Sequence, residues 1–141
     1  MPVRAAICIV RQMNISQQAA HNLAQHAVLH GGVTARRDGT TIESYDGWIF
    51  PKYPDLTKKV PENRLEPALA EFLEQSSGVM EDSDLIGVWR EDYEYFIDIN
   101  IHAATYDDAR KIARSIESES TRSIIGAYNP ARNETRYFKD D

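Results

Sequence analysis

The chain has 141 residues, an apolar fraction of 42%, a charged fraction of 27% and a formal net charge of −6. That length suits one domain able to bury its own core, and the composition excludes a disordered chain. A single cysteine excludes an internal disulfide and the usual multi-cysteine zinc sites, and an acidic balance argues against direct nucleic-acid binding.

The first element is a short buried strand from Arg4 to Arg11, in which Cys8 is an inert core thiol. Its apolar run is too short for a signal peptide, and no run approaches the ~18 residues of a membrane span, so the expected location is cytoplasmic. Asn14 or Ser16 can cap a helix whose stripe is Ala19, Ala20, Leu23, Ala24, Ala27 and Val28, closed by Gly31-Gly32. His26 and His30 share a face of it. The zinc-hydrolase motif needs a Glu directly after the first His, and Ala27 stands there, so no metal site is assigned. Val33 to Ala35 then reads as a strand, Asp38-Gly39 as a hairpin turn, and Thr40 to Tyr45 as its return strand. Gly47 to Phe50 is a further short apolar piece.

Prolines 51, 54, 61 and 67 predict an extended surface connection, with Pro67 opening the second helix over Ala68, Leu69, Phe72 and Leu73. Asp84 to Trp89 and Tyr93 to His102 form a β-hairpin. In the second strand Tyr95, Ile97, Ile99 and Ile101 alternate with Glu94, Phe96, Asp98 and Asn100, the pattern of a strand with one face in the core. Thr105 caps the third helix, whose stripe is Ala109, Ile112, Ala113 and Ile116. Ser123 to Tyr128 and Glu134 to Phe138 complete the chain as strands. The expected class is α+β, a mainly antiparallel sheet with about three helices, and its C-terminal half runs β-β-α-β-β.

Two groups of residues are candidates for function. Between Glu81 and Asp98 stand seven acids and one base, the whole of the formal charge excess. Glu91, Asp92 and Glu94 lie at the hairpin, and Tyr93 beside them and Tyr53 between two prolines are candidate exposed aromatics for a protein partner. Trp48 and Trp89 are assigned to the core. The alternative is a polar pocket at the end of the central strand. Asp98, Asn100 and His102 point to one side there, with Glu94 and Asp107 nearby, a set suited to acid–base chemistry or to holding a small ligand. There is no Gly-rich phosphate loop and no Gly-x-Ser-x-Gly elbow, so neither a cofactor nor an enzyme class is assigned.

Val60-Pro61 before the second helix, Leu85-Ile-Gly-Val-Trp89, Phe96-Ile-Asp-Ile-Asn100, and Asp107-Asp-Ala-Arg-Lys-Ile-Ala-Arg114 leading to Ile124-Ile-Gly-Ala-Tyr128 form a recurring pattern, which Gly31-Gly-Val-Thr34 also fits. On these motifs the chain resembles a loosely defined group of small uncharacterised proteins of actinobacteria and their phages or prophages. The group usually has Gln at the position of Ser123 and a more polar helix before the hairpin. The resemblance implies a mobile-element setting, in which small acidic proteins bind and block a larger host protein. It transfers no activity and no functional residue. The leading expectation is therefore a small protein-binding protein. A homodimer built by pairing edge strands such as Glu134 to Phe138 is compatible with either reading.

Overall fold

Alternation is cleanest from Tyr93 to His102, and the longest strand lies there. A computed structural model describes residues 14–140; the expected Arg4–Arg11 strand and Cys8 lie outside the described residues. In chain order the elements are α1 (Ile15–His30), β1 (Gly32–Ala35), β2 (Trp48–Pro51), β3 (Lys58–Pro61), α2 (Leu65–Ser76), β4 (Leu85–Glu91), β5 (Glu94–Ala103), α3 (Tyr106–Ser118), β6 (Gly126–Asn129) and β7 (Glu134–Tyr137). Short 3₁₀ turns occupy Pro54–Leu56, Glu62–Arg64 and Phe138–Asp140. The class is α+β, and the order from β4 onward is β-β-α-β-β, as the pattern predicts. No described helix is long and apolar enough to cross a membrane.

The described strands pair antiparallel, in the order β1-β4-β5-β2-β6-β7. Along one edge β5 serves two partners in succession. Its C-terminal half pairs with β2, with Asn100 opposite Pro51, and its N-terminal half pairs with β3, with Ile97 opposite Lys58. Between them the chain leaves the ladder through the Pro54–Leu56 turn, directly opposite Asp98. Pro51 and Pro54 have no N–H to give a ladder, so a departure here sacrifices little pairing.

The odd-numbered side chains of β5 face the three described helices. Tyr95, Ile97 and Ile99 join Ile86, Val88 and Ala35 beneath α1 and α2, with Leu23, Ala27, Leu69 and Leu73. Further along the same face, Trp48, Phe50 and Ala103 pack with Tyr106, Ala109 and Ala113 of α3. At the start of α1, Asn14 forms a reciprocal capping box with Gln17, and Gly31 ends the helix with φ +82°.

Five expectations need correction, the first being that Val28, placed in the α1 stripe, is 42% exposed at the edge of the helix contact. The return strand Thr40 to Tyr45 is reduced to one bridge, Ala35 to Thr41. The chain must leave the outer edge of β1 to reach β2 on the far side of β5. The proline-rich connection is not only a surface link, because Lys58-Lys59-Val60-Pro61 pairs along the open edge of β5. The second helix begins at Leu65, so Pro67 sits inside its first turn, where a backbone N–H is unpaired in any case. Ile112 is 40% exposed rather than buried, since Ala109 and Ala113 bring α3 close to the sheet and leave Ile112 at the margin of the contact.

A candidate ligand cleft on the helix-free face

The even-numbered residues of β5 point away from the helices, and strand register assembles their neighbours. Trp89 lies opposite Phe96, Gly87 opposite Asp98 and Leu85 opposite Asn100. On β1, Gly32 lies opposite Trp89 and Thr34 opposite Gly87. On the other side Ile49 lies opposite Tyr128, and Tyr128 opposite Thr135. Residues from the outer strands β1 and β7 and from the strands between them line one cavity of about 1000 Å³. A flat sheet could not bring both outer strands to one cavity, so the sheet curls around it.

Glycines in the lining permit close approach of neighbouring groups: a Cβ on Gly32 would crowd Val88 O and one on Gly126 would overlap Arg136 O. Gly32, Gly87 and Gly126 all line the cavity. A Cβ on Gly87 would stand 2.2 Å from Asn100 Nδ2, so the amide lies where an alanine methyl would be.

Asp98 and Asn100 are only 5% and 8% exposed. Asp98 Oδ1 accepts a hydrogen bond from Thr57 Oγ1 at 2.5 Å, and its Oδ2 accepts one from Trp89 Nε1 at 3.0 Å. Burial pushes the Asp98 carboxyl above the usual carboxylate range, while these two bonds and the Arg122 charge pull the other way. Asn100 Oδ1 is buried without a hydrogen-bond partner. Trp89 stacks on Phe96 with ring centroids 4.2 Å apart and planes 10° apart.

One wall is fixed from a distance. Asp55, in the turn that leaves the ladder, accepts bonds from the Thr121 N–H and hydroxyl and from the Arg122 N–H. The Thr121 N–H first of all, then the other donors, hold the Asp55 carboxyl below its usual range. Arg122 is thereby brought to the cleft, where Nη1 donates to Thr57 O at 3.3 Å. His26, His30, Glu43 and Glu91 also line the cavity. The two imidazoles have centroids 5.6 Å apart, and among the described residues no three His, Cys, Asp or Glu side chains group as for a metal ion.

The structure therefore brings together two of the three pocket candidates. Asp98 and Asn100 sit on the cleft floor near mid-strand. His102 lies beyond it, exposed, with Nδ1 2.9 Å from Tyr45 Oη, so the expected pocket at the strand's end is displaced inward. Asp107 is exposed on the first turn of α3, away from the lining. Glu94 pairs with Lys59 at 3.3 Å. At the hairpin, Glu91 reaches the cavity lining, Asp92 adopts φ +57°, and Tyr93 is 90% exposed. Tyr53, expected as an exposed contact, is half-buried against the α1–α2 core and donates to Val79 O at 3.5 Å. Trp48 is in the core as expected. Trp89 is not: it is 39% exposed at the cleft.

Thr57, Arg122 and the three glycines were missed by sequence reasoning. Gly87 carried a signal, a lone glycine inside an apolar strand run, which marks close approach of another group. Thr57 and Arg122 carried none, because only the folded chain brings them to Asp98. In comparisons with known proteins, no family model, no curated protein and no solved structure matches this chain.

Proposed function

We propose that this protein binds a small organic ligand in the concave cleft. The observation that carries the reading is a buried polar pair, Asp98 and Asn100, on the floor of a cavity of about 1000 Å³. Small-molecule sites are concave, largely apolar and fitted with a few convergent polar groups, and a carboxyl perturbed by burial inside a cleft is a common mark of a functional position. Ile49, Phe96, Trp89 and Tyr128 supply the apolar walls here. The test is an amide-resolved NMR screen with a mixed set of charged and neutral fragments. Shifts should cluster on Gly32, Gly87, Trp89, Asp98, Asn100 and Gly126. Shifts scattered over the surface, or none at all, would overturn the reading.

A second reading rests on a different observation, the 90% exposure of Tyr93 at a hairpin tip flanked by Glu91, Asp92 and Glu94. An exposed aromatic in an acidic rim suits capture of a basic protein surface, including that of a host protein blocked by a phage or prophage product. Charge reversal at the three acids together with Tyr93→Ala should abolish salt-sensitive capture of one dominant protein from host lysate. Capture that is unaltered by these changes sinks this reading.

A further inference from the structure

We propose that the cleft recognises a planar nitrogen cation, a guanidinium or amidinium group, laid on Trp89 with its N–H donors directed to Asp98 and Asn100. This deepens the ligand-binding reading and rests on it. Three features converge on this chemistry.

The first is the polarity of the floor. Asp98 and Asn100 are two positions apart on one strand face, roughly 7 Å along β5. Asp98 offers a carboxylate, and Asn100 carries a buried oxygen that none of the described residues satisfies, within a side chain that lines the cavity. A buried oxygen without a donor costs free energy that a ligand N–H can recover. Guanidinium and amidinium groups carry donors only, in a flat fork that fits carboxylate and amide oxygens.

The second is charge. Among the described residues the cavity lining holds three carboxyl groups, Asp98, Glu43 and Glu91, against one permanent cation, Arg122, and two titratable imidazoles, His26 and His30. Arg122 donates to the Thr57 carbonyl at the wall and its charge also reaches Asp98, so it offsets one of these carboxyl groups and leaves two in excess. A second cation on the floor is then favoured by the balance of the lining.

The third is the aromatic platform. Phe96 covers one face of the Trp89 ring, and the residue opposite Trp89 on β1 is Gly32, which has no side chain to cover the other. An aromatic face open to a cavity attracts cations. A delocalised planar cation stacks on it and is less strongly hydrated than an ammonium, so a dry floor excludes it less.

The test uses benzamidine, benzamide and benzoate, three ligands of one shape with positive, neutral and negative heads, titrated against the full chain and followed by tryptophan fluorescence and NMR shifts. Benzamidine should bind at least about tenfold more tightly than benzamide, and benzoate should not bind. Its affinity should fall at acid pH as Asp98 takes up a proton, and because His26, His30, Glu43 and Glu91 also titrate in this lining, the Asp98 share is the part of the fall that Asp98→Asn removes. Asp98→Asn, which keeps the shape of the side chain, should remove the preference for benzamidine. Asn100→Leu should weaken benzamidine several-fold in a protein that NMR shows to be folded. Agmatine and acetyl-arginine amide then separate a free small molecule from a peptide arginine as the source, and binding of either supports the assignment. Equal or tighter binding of benzamide overturns the cation proposal and leaves the ligand cleft standing. No cleft shift with any of the three, nor with the wider fragment set, overturns both.

Discussion

Asn100 is the residue at which folding and binding are in tension. An amide oxygen buried without a donor carries a desolvation penalty of about 1–3 kcal/mol, and an apolar side chain of similar size in the same place carries none. Asn100→Leu should therefore raise the unfolding free energy by about 1–2 kcal/mol, measured by urea denaturation, while it weakens ligand binding. A stability loss instead would mean that the amide is satisfied in solution. Asp98 adds a pH dependence with a definite sign. Its folded-state pKa is raised above the unfolded value of about 3.9, so across that window the native state holds a proton that the unfolded chain has released. The Asp98 contribution to stability then declines as pH rises from about 4 through the folded value. Asp98→Asn should flatten this slope and raise the melting temperature at pH 7, with both read from melts across pH 4 to 8.

At the scale of elements, the cleft depends on pieces that strand periodicity does not announce. The turn at Pro54–Leu56 places Asp55 where its carboxylate gathers the Thr121 and Arg122 amides, and the same excursion sets Thr57 against Asp98. Asp55→Ala should release the segment before β6. Amide hydrogen exchange at Thr121 and Arg122 should speed up markedly, while exchange in the paired core of β4 and β5 is unchanged. Because the Asp55 pKa is depressed, the same release should occur in the unsubstituted protein as pH falls below the ordinary carboxylate range. The central hairpin and the three helices were legible because period-2 and period-3.6 patterns report local geometry, which is why Tyr95, Ile97, Ile99, Ala109 and Ala113 were read correctly. The same alternation put Asp98 and Asn100 on one face. It could not say whether that face was solvated or folded into a cleft, because curl is a property of the whole sheet. Thr40 to Tyr45 has a strand-like composition but crosses beside the open face, where Ile42 and Glu43 line the cavity. Composition does not encode that crossing.

At the scale of the molecule, the two apolar clusters are joined by one strand. Tyr95, Ile97 and Ile99 belong to the cluster under α1 and α2, whereas Ala103 belongs to the cluster under α3, and Ile101 packs against the latter. Neither helical layer can separate from the sheet without exposing part of β5, so the clusters should unfold together. Ile97 is fully buried at the centre of the first cluster and pairs with both Val88 and Lys58. Ile97→Ala should cost about 2–5 kcal/mol through lost burial and the cavity left behind. Trp48 lies in the second cluster, and in a Trp89→Phe background it reports that cluster alone. Its fluorescence should shift to lower denaturant in step with the helical circular dichroism signal when Ile97 is truncated, with one midpoint for both probes. If Trp48 kept its original midpoint while the helical signal moved, the α3 half would be an independent folding unit. The curl of the sheet, and with it the cleft, would then not depend on α1 and α2. A shared midpoint ties the cleft to the entire helical layer, because the strand that carries Asp98 and Asn100 on one face is the one that both clusters grip on the other.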